Sequence, residues 1–103
     1  MNQSLAFENE IVLATVQAFV GAITPTMSAI SLEANADKET VDLYVALRAP
    51  DGTVESLLDD VLTDIGVLTD DAALVTVHTW VGDDWVSGWP GRDKRMIYAA
   101  YER

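Results

Sequence analysis

Carboxylates are the side chains with which this sequence could most readily do chemistry. Its 103 residues include 17 Asp and Glu, one histidine and no cysteine. A hydrolytic triad needs a base that orients and deprotonates a nucleophile, and no Ser or Cys motif stands near the lone His78. The alternation of apolar and polar residues around His78 instead predicts that it lies on the exposed face of a strand.

Metal or cofactor binding would have to depend on carboxylates alone. Without cysteine, one histidine cannot complete a zinc site of the usual kind. Asp59, Asp60 and Asp64 could hold a divalent cation weakly. Asp83 and Asp84 could do the same, but the spacing of an EF-hand loop is absent, as is a glycine-rich phosphate-binding loop. We therefore predict no metal, no cofactor and no enzyme activity.

The charge distribution excludes nucleic acid as a direct partner. The formal net charge is −11, and residues 1–91 contain 15 carboxylates but only two basic residues. Proteins that bind DNA or RNA need a basic surface that displaces counterions from the phosphates. A basic protein would instead be attracted to this chain. The same acidity would also keep the chain soluble without any partner, so both interpretations stay open.

Two acidic segments are the candidates for binding a protein partner. In the first, like charges recur at helical i,i+4 spacing with no lysine to offset them. In the second, tryptophans alternate with acids, and tryptophan supplies large contact areas at interfaces while carboxylates steer the partner. A solvated helix face and indoles that fold back over a sheet are the alternatives. The predicted partner-binding residues are Glu55, Asp59, Asp60, Asp64, Trp80, Asp83, Asp84 and Trp85.

The elements that must position these residues begin with a predicted helix over residues 7–22. Gly21 and Pro25 end it, because proline cannot continue a helix. The wide apolar arc predicts that this helix is largely buried. The residues of that arc are Val12, Leu13, Val16, Phe19, Val20 and Ile23.

The rest of the chain predicts four strands and a second helix. Residues 27–33 and 41–48 alternate with a period of two and form a predicted antiparallel hairpin. A turn at residues 49–52 leads into an amphipathic helix over residues 54–65, with Thr53 as its cap. Residues 74–81 and 94–101 are the last two predicted strands.

The order α-β-β-α-β-β predicts a single α+β domain with a mainly antiparallel four-stranded sheet and both helices packed on one face. On the other face, Tyr44, His78 and Trp80 would share an open aromatic surface. That surface makes a homodimer the alternative to binding a different protein.

Residues 11–23 are interrupted by Thr15 and Gln17 and fall short of the roughly 18 residues that a membrane span needs. We therefore predict a soluble, cytoplasmic protein without a membrane partner.

The segment Phe-Val-Gly-Ala-Ile-Thr-Pro-Thr-Met-Ser-Ala-Ile-Ser-Leu-Glu, residues 19–33, carries a family resemblance. It resembles the Leu-Leu-Gly-Ala-Ile-Ser-Pro-Asn-Leu-Arg-Ala-Val opening of a family of small acidic bacterial proteins. Members of that family also have an acidic second helix and end on an aromatic and basic strand comparable to residues 96–103. This chain departs from the pattern where Thr26, Met27 and Ser28 replace Asn-Leu-Arg.

The resemblance implies a function in bacterial toxin systems, including contact-dependent growth inhibition. Proteins of that kind are immunity factors, and the resemblance implies no catalytic residues. The prediction is therefore a non-catalytic immunity protein that binds and neutralises a cognate toxin domain, for which a basic nuclease would be one suitable class. A homo-oligomeric structural or adaptor domain is the second hypothesis, and a carboxylate-dependent enzyme is the third.

Overall fold

The computed structural model describes residues 3–100, which form two layers of secondary structure with a loop across the outer face of the sheet. The two long helices and the four strands follow the predicted order, with one short helix added before the last strand. The elements are α1 (Gln3–Ala18), β1 (Met27–Asn35), β2 (Thr40–Leu47), α2 (Gly52–Leu68), β3 (Leu74–Val81), α3 (Trp85–Gly88) and β4 (Arg95–Ala99).

The sheet is mixed, with the strand order β3-β2-β1-β4. β1 pairs antiparallel with both β2 and β4, whereas β2 and β3 are parallel. The prediction of a mainly antiparallel sheet with a second hairpin is therefore wrong. β3 and β4 lie at opposite edges, and a helical turn, α3, lies in the segment between them.

The length of α2 explains the parallel pair. Its 17 residues span about 25 Å, and the eight residues of β2 span about 26 Å. The helix therefore returns the chain to the end of the sheet at which β2 began. The next strand must then run in the same direction as β2, as in other strand–helix–strand units. The short polar connections on either side of α2 leave no length for a reversal.

The main core lies between the helices and one face of the sheet. Along β2, the alternation predicted from sequence is confirmed, because Val41, Leu43, Val45 and Leu47 are all buried. α2 contributes one apolar stripe at helical spacing, and α1 contributes residues from its central and C-terminal turns. The buried residues that the two helices contribute to this core are Val54, Leu58, Val61, Ile65, Ile11 and Ala18, and Phe19 joins them directly after the end of α1.

The first helix is less buried than predicted. It ends at Ala18 rather than near residue 22, and the chain then turns through Gly21 at φ +77°, a conformation that favours glycine. Leu13 is 67% exposed and Val20 is 77% exposed. Because α1 packs against α2 and the β1–β4 half of the sheet, it buries only one side of its apolar arc. No helix within residues 3–100 has both the length and the apolar character needed to cross a lipid bilayer.

The start of α2 is capped by Asp51, not by Thr53 as predicted. Asp51 Oδ1 accepts a hydrogen bond from the Thr53 backbone N–H at 3.0 Å, as an N-cap carboxylate does. Its Oδ2 accepts a hydrogen bond from the Thr26 hydroxyl at 2.9 Å. One carboxylate therefore connects the first turn of α2 to the segment that enters β1. The Thr26 hydrogen bond, followed by those from Thr53, lowers the pKa of Asp51 below its ordinary 3.8.

We expect Asp51 to stabilise the protein in a pH-dependent way. Because its pKa is lower in the folded state, its contribution is present above the unfolded pKa and is lost as pH falls through the folded pKa. Asp51→Asn keeps a capping oxygen but not the charge. The difference in melting temperature between the wild type and D51N should therefore be largest near neutral pH and shrink below about pH 4. Thermal unfolding across this range measures it, and a constant difference would contradict the assignment.

Candidate functional site

The second face of the sheet is covered at one end by the segment that connects β3 to β4. This segment, residues 82–94, crosses from one edge of the sheet to the other, about 14 Å away. At its centre Trp89 is 0% exposed and packs on Ala29 and Ala46. The small alanine side chains leave room for an indole between the loop and the sheet. Trp89 therefore forms the centre of a second, smaller core.

Close backbone contacts hold this loop against the sheet. The Ser31 hydroxyl donates a hydrogen bond to the Gly91 carbonyl oxygen at 2.8 Å. A Cβ atom on Gly91 would lie 2.6 Å from the Trp89 ring, and one on Gly82 would lie 2.4 Å from the Trp80 ring. Both distances are too short for any side chain, so glycine is required at these two positions unless the rings move. The loop backbone therefore packs directly against the indole rings of Trp80 and Trp89.

The two tryptophans predicted to bind a partner lie beside this core. Trp80, on β3, and Trp85, in α3, are both half-buried. The ring of Trp85 meets that of Trp89 edge-to-face, with centroids 5.9 Å apart and an interplanar angle of 81°. The sequence also allowed that the indoles fold back over the sheet instead of binding a partner. Trp89 does so completely, and Trp80 and Trp85 do so in part. Trp80 and Trp85 keep an exposed fraction that a partner can contact.

The acidic part of the loop borders a cavity. Asp83, Asp84 and Trp85 lie along a concavity of about 260 Å³ at the end of the sheet. The Arg48 side chain lines the same cavity, and its Nε donates to the Pro25 carbonyl oxygen at 3.1 Å. Asp84 accepts a hydrogen bond from the Ser87 hydroxyl. Three of the predicted binding residues thus line one surface that is both aromatic and charged.

The acidic face of α2 lies on the other side of the sheet. Glu55, Asp59, Asp60 and Asp64 are all exposed, and the helix contains no Lys or Arg that would offset them. The structure therefore does not bring the eight predicted residues into one patch. It divides them into an α2 set in the helix layer and a loop set on the opposite face. α1 contacts β1 and β4, so α2 lies on the half of the sheet that contains β3.

A histidine–carboxylate pair occupies the open part of the second face. His78 Nε2 lies 2.8 Å from Asp42 Oδ1, and the His78 ring stacks on Tyr44 with centroids 4.9 Å apart. Partial burial, followed by the charge of Asp42, raises the pKa of the Tyr44 hydroxyl. Within residues 3–100, the only hydrogen bond of the His78 side chain is to Asp42. The pair is therefore a polar contact between the neighbouring strands β2 and β3.

Sequence reasoning missed two residues of this face. Asp42 was not predicted as the partner of His78, although both occupy even positions of neighbouring strands. Trp89 was not among the predicted binding residues, and its burial leaves only part of the supposed open aromatic surface exposed. Tyr44 and His78 stay on that surface, while Trp80 is partly covered by the loop. The parity of strand positions would have indicated Asp42, but no sequence signal separates Trp89 from its neighbours.

Neither a metal-binding group nor a related protein adds to this description of the site. Within the part of the chain that the structure describes, no three His, Asp or Glu residues are grouped so that they could hold a metal ion. No protein-family model matches the chain, and a comparison with curated proteins finds no match. The candidate site is therefore described from its own residues alone.

We expect Trp89 to be the main stabilising residue of the second face. Trp89→Ala should lower the free energy of unfolding by about 3–5 kcal/mol, because it empties a fully buried indole site. Trp89→Phe should cost less, since phenylalanine fills part of the space and removes an indole N–H that meets no acceptor within residues 3–100. Urea unfolding followed by circular dichroism measures both changes.

The matched control is Val86→Ala in the same segment. Val86 is 62% exposed, so its truncation should change the free energy of unfolding by about 0.5 kcal/mol or less. If W89A were no more destabilised than V86A, the loop would not depend on Trp89 for its position.

Proposed function

We propose that this protein is a non-catalytic immunity protein that acts in the cytoplasm by binding and neutralising a cognate bacterial toxin domain with a basic surface. The observation that carries the proposal is the pair of exposed acidic sets, one on α2 and one in the loop after β3, neither of which forms a group that could hold a metal ion within residues 3–100. A toxin with a basic substrate-binding surface, such as a nuclease, offers the complementary charge.

The α2 set supports the proposal energetically. Glu55 and Asp59 lie one helical turn apart, and Asp60 and Asp64 repeat that spacing. Each pair of like charges opposes helix formation by a few tenths of a kcal/mol. Glu55 is favourably placed in the first turn, but Asp64 lies toward the negative end of the helix dipole. A cationic partner would relieve this repulsion, because it would lie against carboxylates that have no basic residue on their own helix.

The loop set adds the contacts that give an interface its specificity. Trp80 and Trp85 expose part of their indoles beside Asp83 and Asp84. Aromatic side chains that are already held in place lose little conformational freedom on binding. Trp89 and the Ser31–Gly91 hydrogen bond hold this loop against the sheet in the free protein. The carboxylates would steer the toxin and the indoles would supply buried contact area.

The segment that resembles the immunity-like family has a structural explanation here. Phe19 and Met27 are buried, and Gly21 has the positive φ of the turn between α1 and β1. Thr26 donates to the capping carboxylate of α2. This segment therefore builds the connection between the first helix and the first strand, and Gly21 is the one of these residues that it shares with the family pattern. The resemblance supports a similar fold, and the charge distribution supports the binding function.

Co-expression is the direct test of the proposed function. The chain should be produced together with the product of the gene immediately upstream of its own. We expect the two proteins to copurify and the growth defect caused by the upstream product to be relieved. An upstream product that neither inhibits growth nor copurifies with the chain would contradict the proposal.

Charge reversal tests the contribution of α2 to the interface. We expect the combined substitutions Asp59→Lys, Asp60→Lys and Asp64→Lys to slow association with the captured toxin about tenfold or more at low salt, with a smaller effect on dissociation. Added salt should reduce the difference, since screening weakens steering. Surface plasmon resonance at two salt concentrations measures both rates.

A control with the same change in net charge separates location from total charge. Glu10, Asp37 and Asp93 are exposed and lie outside both acidic sets. Their combined replacement by lysine should slow association much less than the α2 reversal. Equal slowing by the two triple variants would show that α2 has no special place in the interface.

A further inference from the structure

The outer edge of β3 is long and has no partner strand within residues 3–100. β3 is an edge strand, and within residues 3–100 it pairs only with β2. None of its eight residues is Asp, Glu, Lys, Arg or Pro. Its terminal residues Leu74 and Val81 are 72% and 47% exposed. Natural edge strands usually carry acidic or basic residues such as lysine, a proline or a bulge that prevents pairing with another chain, whereas β3 has no Asp, Glu, Lys, Arg or Pro and no register shift.

The hydrogen bonds to β2 show which backbone groups face outward. The Leu74 N–H donates to the Glu39 carbonyl, and the Gly82 N–H donates to the Leu47 carbonyl. The register between these two bonds contains no shift. Backbone groups of successive strand residues point to opposite sides, so the even-numbered residues bond to β2. The N–H and C=O groups that point to the free edge are those of Val75, Val77, Thr79 and Val81.

The opposite edge of the sheet is protected. β4 has only five residues, and its pairing with β1 contains an irregularity. Its first residue, Arg95, forms an ion pair with Glu8 of α1 at 3.5 Å, and α1 packs against this strand. These are features that natural proteins use to block edge pairing. The contrast identifies β3 as the edge that is available to another strand.

Acidic residues at both ends of β3 indicate what kind of strand fits. Asp70 and Asp71 precede it, Asp83 and Asp84 follow it, and all four are exposed. If two copies of β3 paired antiparallel about Val77, Asp71 of each copy would face Asp83 of the other. Such like-charge pairs disfavour a second copy of this chain. A strand with basic ends would instead meet opposite charge at both ends.

We propose that the β3 edge binds an extended strand of the toxin partner, with β-branched or apolar residues at its centre and Lys or Arg at both ends. The inference rests on the proposed function and names the contact that the toxin makes. The added strand would bond to the outward backbone groups of β3, as in β-strand addition. It would lie between the acidic face of α2 on one side and the Trp80–Asp84 segment on the other, which explains why the two acidic sets are separated by the sheet.

A substitution of Thr79 tests the backbone contact without breaking the sheet. The N–H of Thr79 faces the free edge, so Thr79→Pro removes an outward donor and no hydrogen bond to β2. Its side chain is exposed, so the core loses little. Thr79→Ala keeps the N–H and is the matched control. We expect T79P to bind the captured toxin about tenfold more weakly or worse, and T79A to bind as the wild type does.

A synthetic peptide tests the edge independently of the toxin. The probe is a short peptide of alternating Val and Thr with Lys and Arg at both ends, and its control has Glu at both ends. We expect the basic peptide to slow amide hydrogen exchange at Val75, Val77 and Thr79, as measured by NMR. The acidic peptide should have little effect, and T79P should abolish the protection. Thermal unfolding of T79P checks that the variant is folded.

The outcomes separate this inference from the proposed function. If the toxin binds the folded T79P variant as tightly as the wild type, the edge contact is wrong and the immunity function stands. If no toxin is captured but the basic peptide protects the three amides, the edge binds a basic strand and the immunity function fails. A concentration-dependent dimer in light scattering that T79P abolishes would overturn the inference in favour of a second copy. Absence of protection by the basic peptide would also overturn it.

Discussion

The length of α2 determines the direction of β3, and the positions of the other surface elements follow from that direction. Because α2 returns the chain along the full length of the sheet, β3 pairs parallel with β2 and becomes an outer strand. β4 pairs with β1 at the opposite edge. The connection between β3 and β4 must then cross the face that the helices leave open. The two crossovers run in opposite lateral directions on opposite faces, so they have the same hand, as expected for parallel strands of one sheet.

This arrangement gives a small chain two separate cores on the two faces of one sheet. The helix side buries the apolar stripe of α2 against alternate residues of β2. The other side buries a single indole, Trp89, over two alanines. The second core stabilises the loop as well as the sheet, because the close approach of Gly82 and Gly91 to the rings requires the loop to keep one path. Acidic and aromatic side chains beside Trp89 are therefore presented on a fixed backbone.

The same arrangement distributes the negative charge around the β3 edge. The carboxylates of α2 lie in the helix layer, and those of the loop lie at the end of β3 on the opposite face. Between them is a strand with outward backbone donors and acceptors and no Asp, Glu, Lys or Arg. Electrostatic attraction acts over about one Debye length, roughly 8–10 Å, whereas backbone hydrogen bonds need direct contact. A binding surface of this kind would attract a basic partner by charge and orient it by strand pairing.

The sequence by itself determined the type and order of the long helices and strands and the negative sign of the surface charge. A period of two in β2 and helical spacing in α2 are local properties, so β2, α2 and β3 were predicted close to their observed bounds. The exposure of the eight predicted binding residues also followed in large part, since charged side chains stay in water. The N-cap of α2 was assigned to Thr53 instead of Asp51, because the side chains of both residues can accept a hydrogen bond from the first turn of a helix.

Only the tertiary structure decided which strands are neighbours, which tryptophan is buried and how the acids are grouped. Strand pairing depends on where a whole connection delivers the chain, and periodicity along one strand carries no such information. Trp80, Trp85 and Trp89 have the same chemistry, and Trp89 alone is placed over Ala29 and Ala46 by the path of the loop. The free edge of β3 likewise can be identified only from the assembled sheet. Whether a backbone N–H is unpaired depends on which strands lie beside it, and not on the residue that carries it.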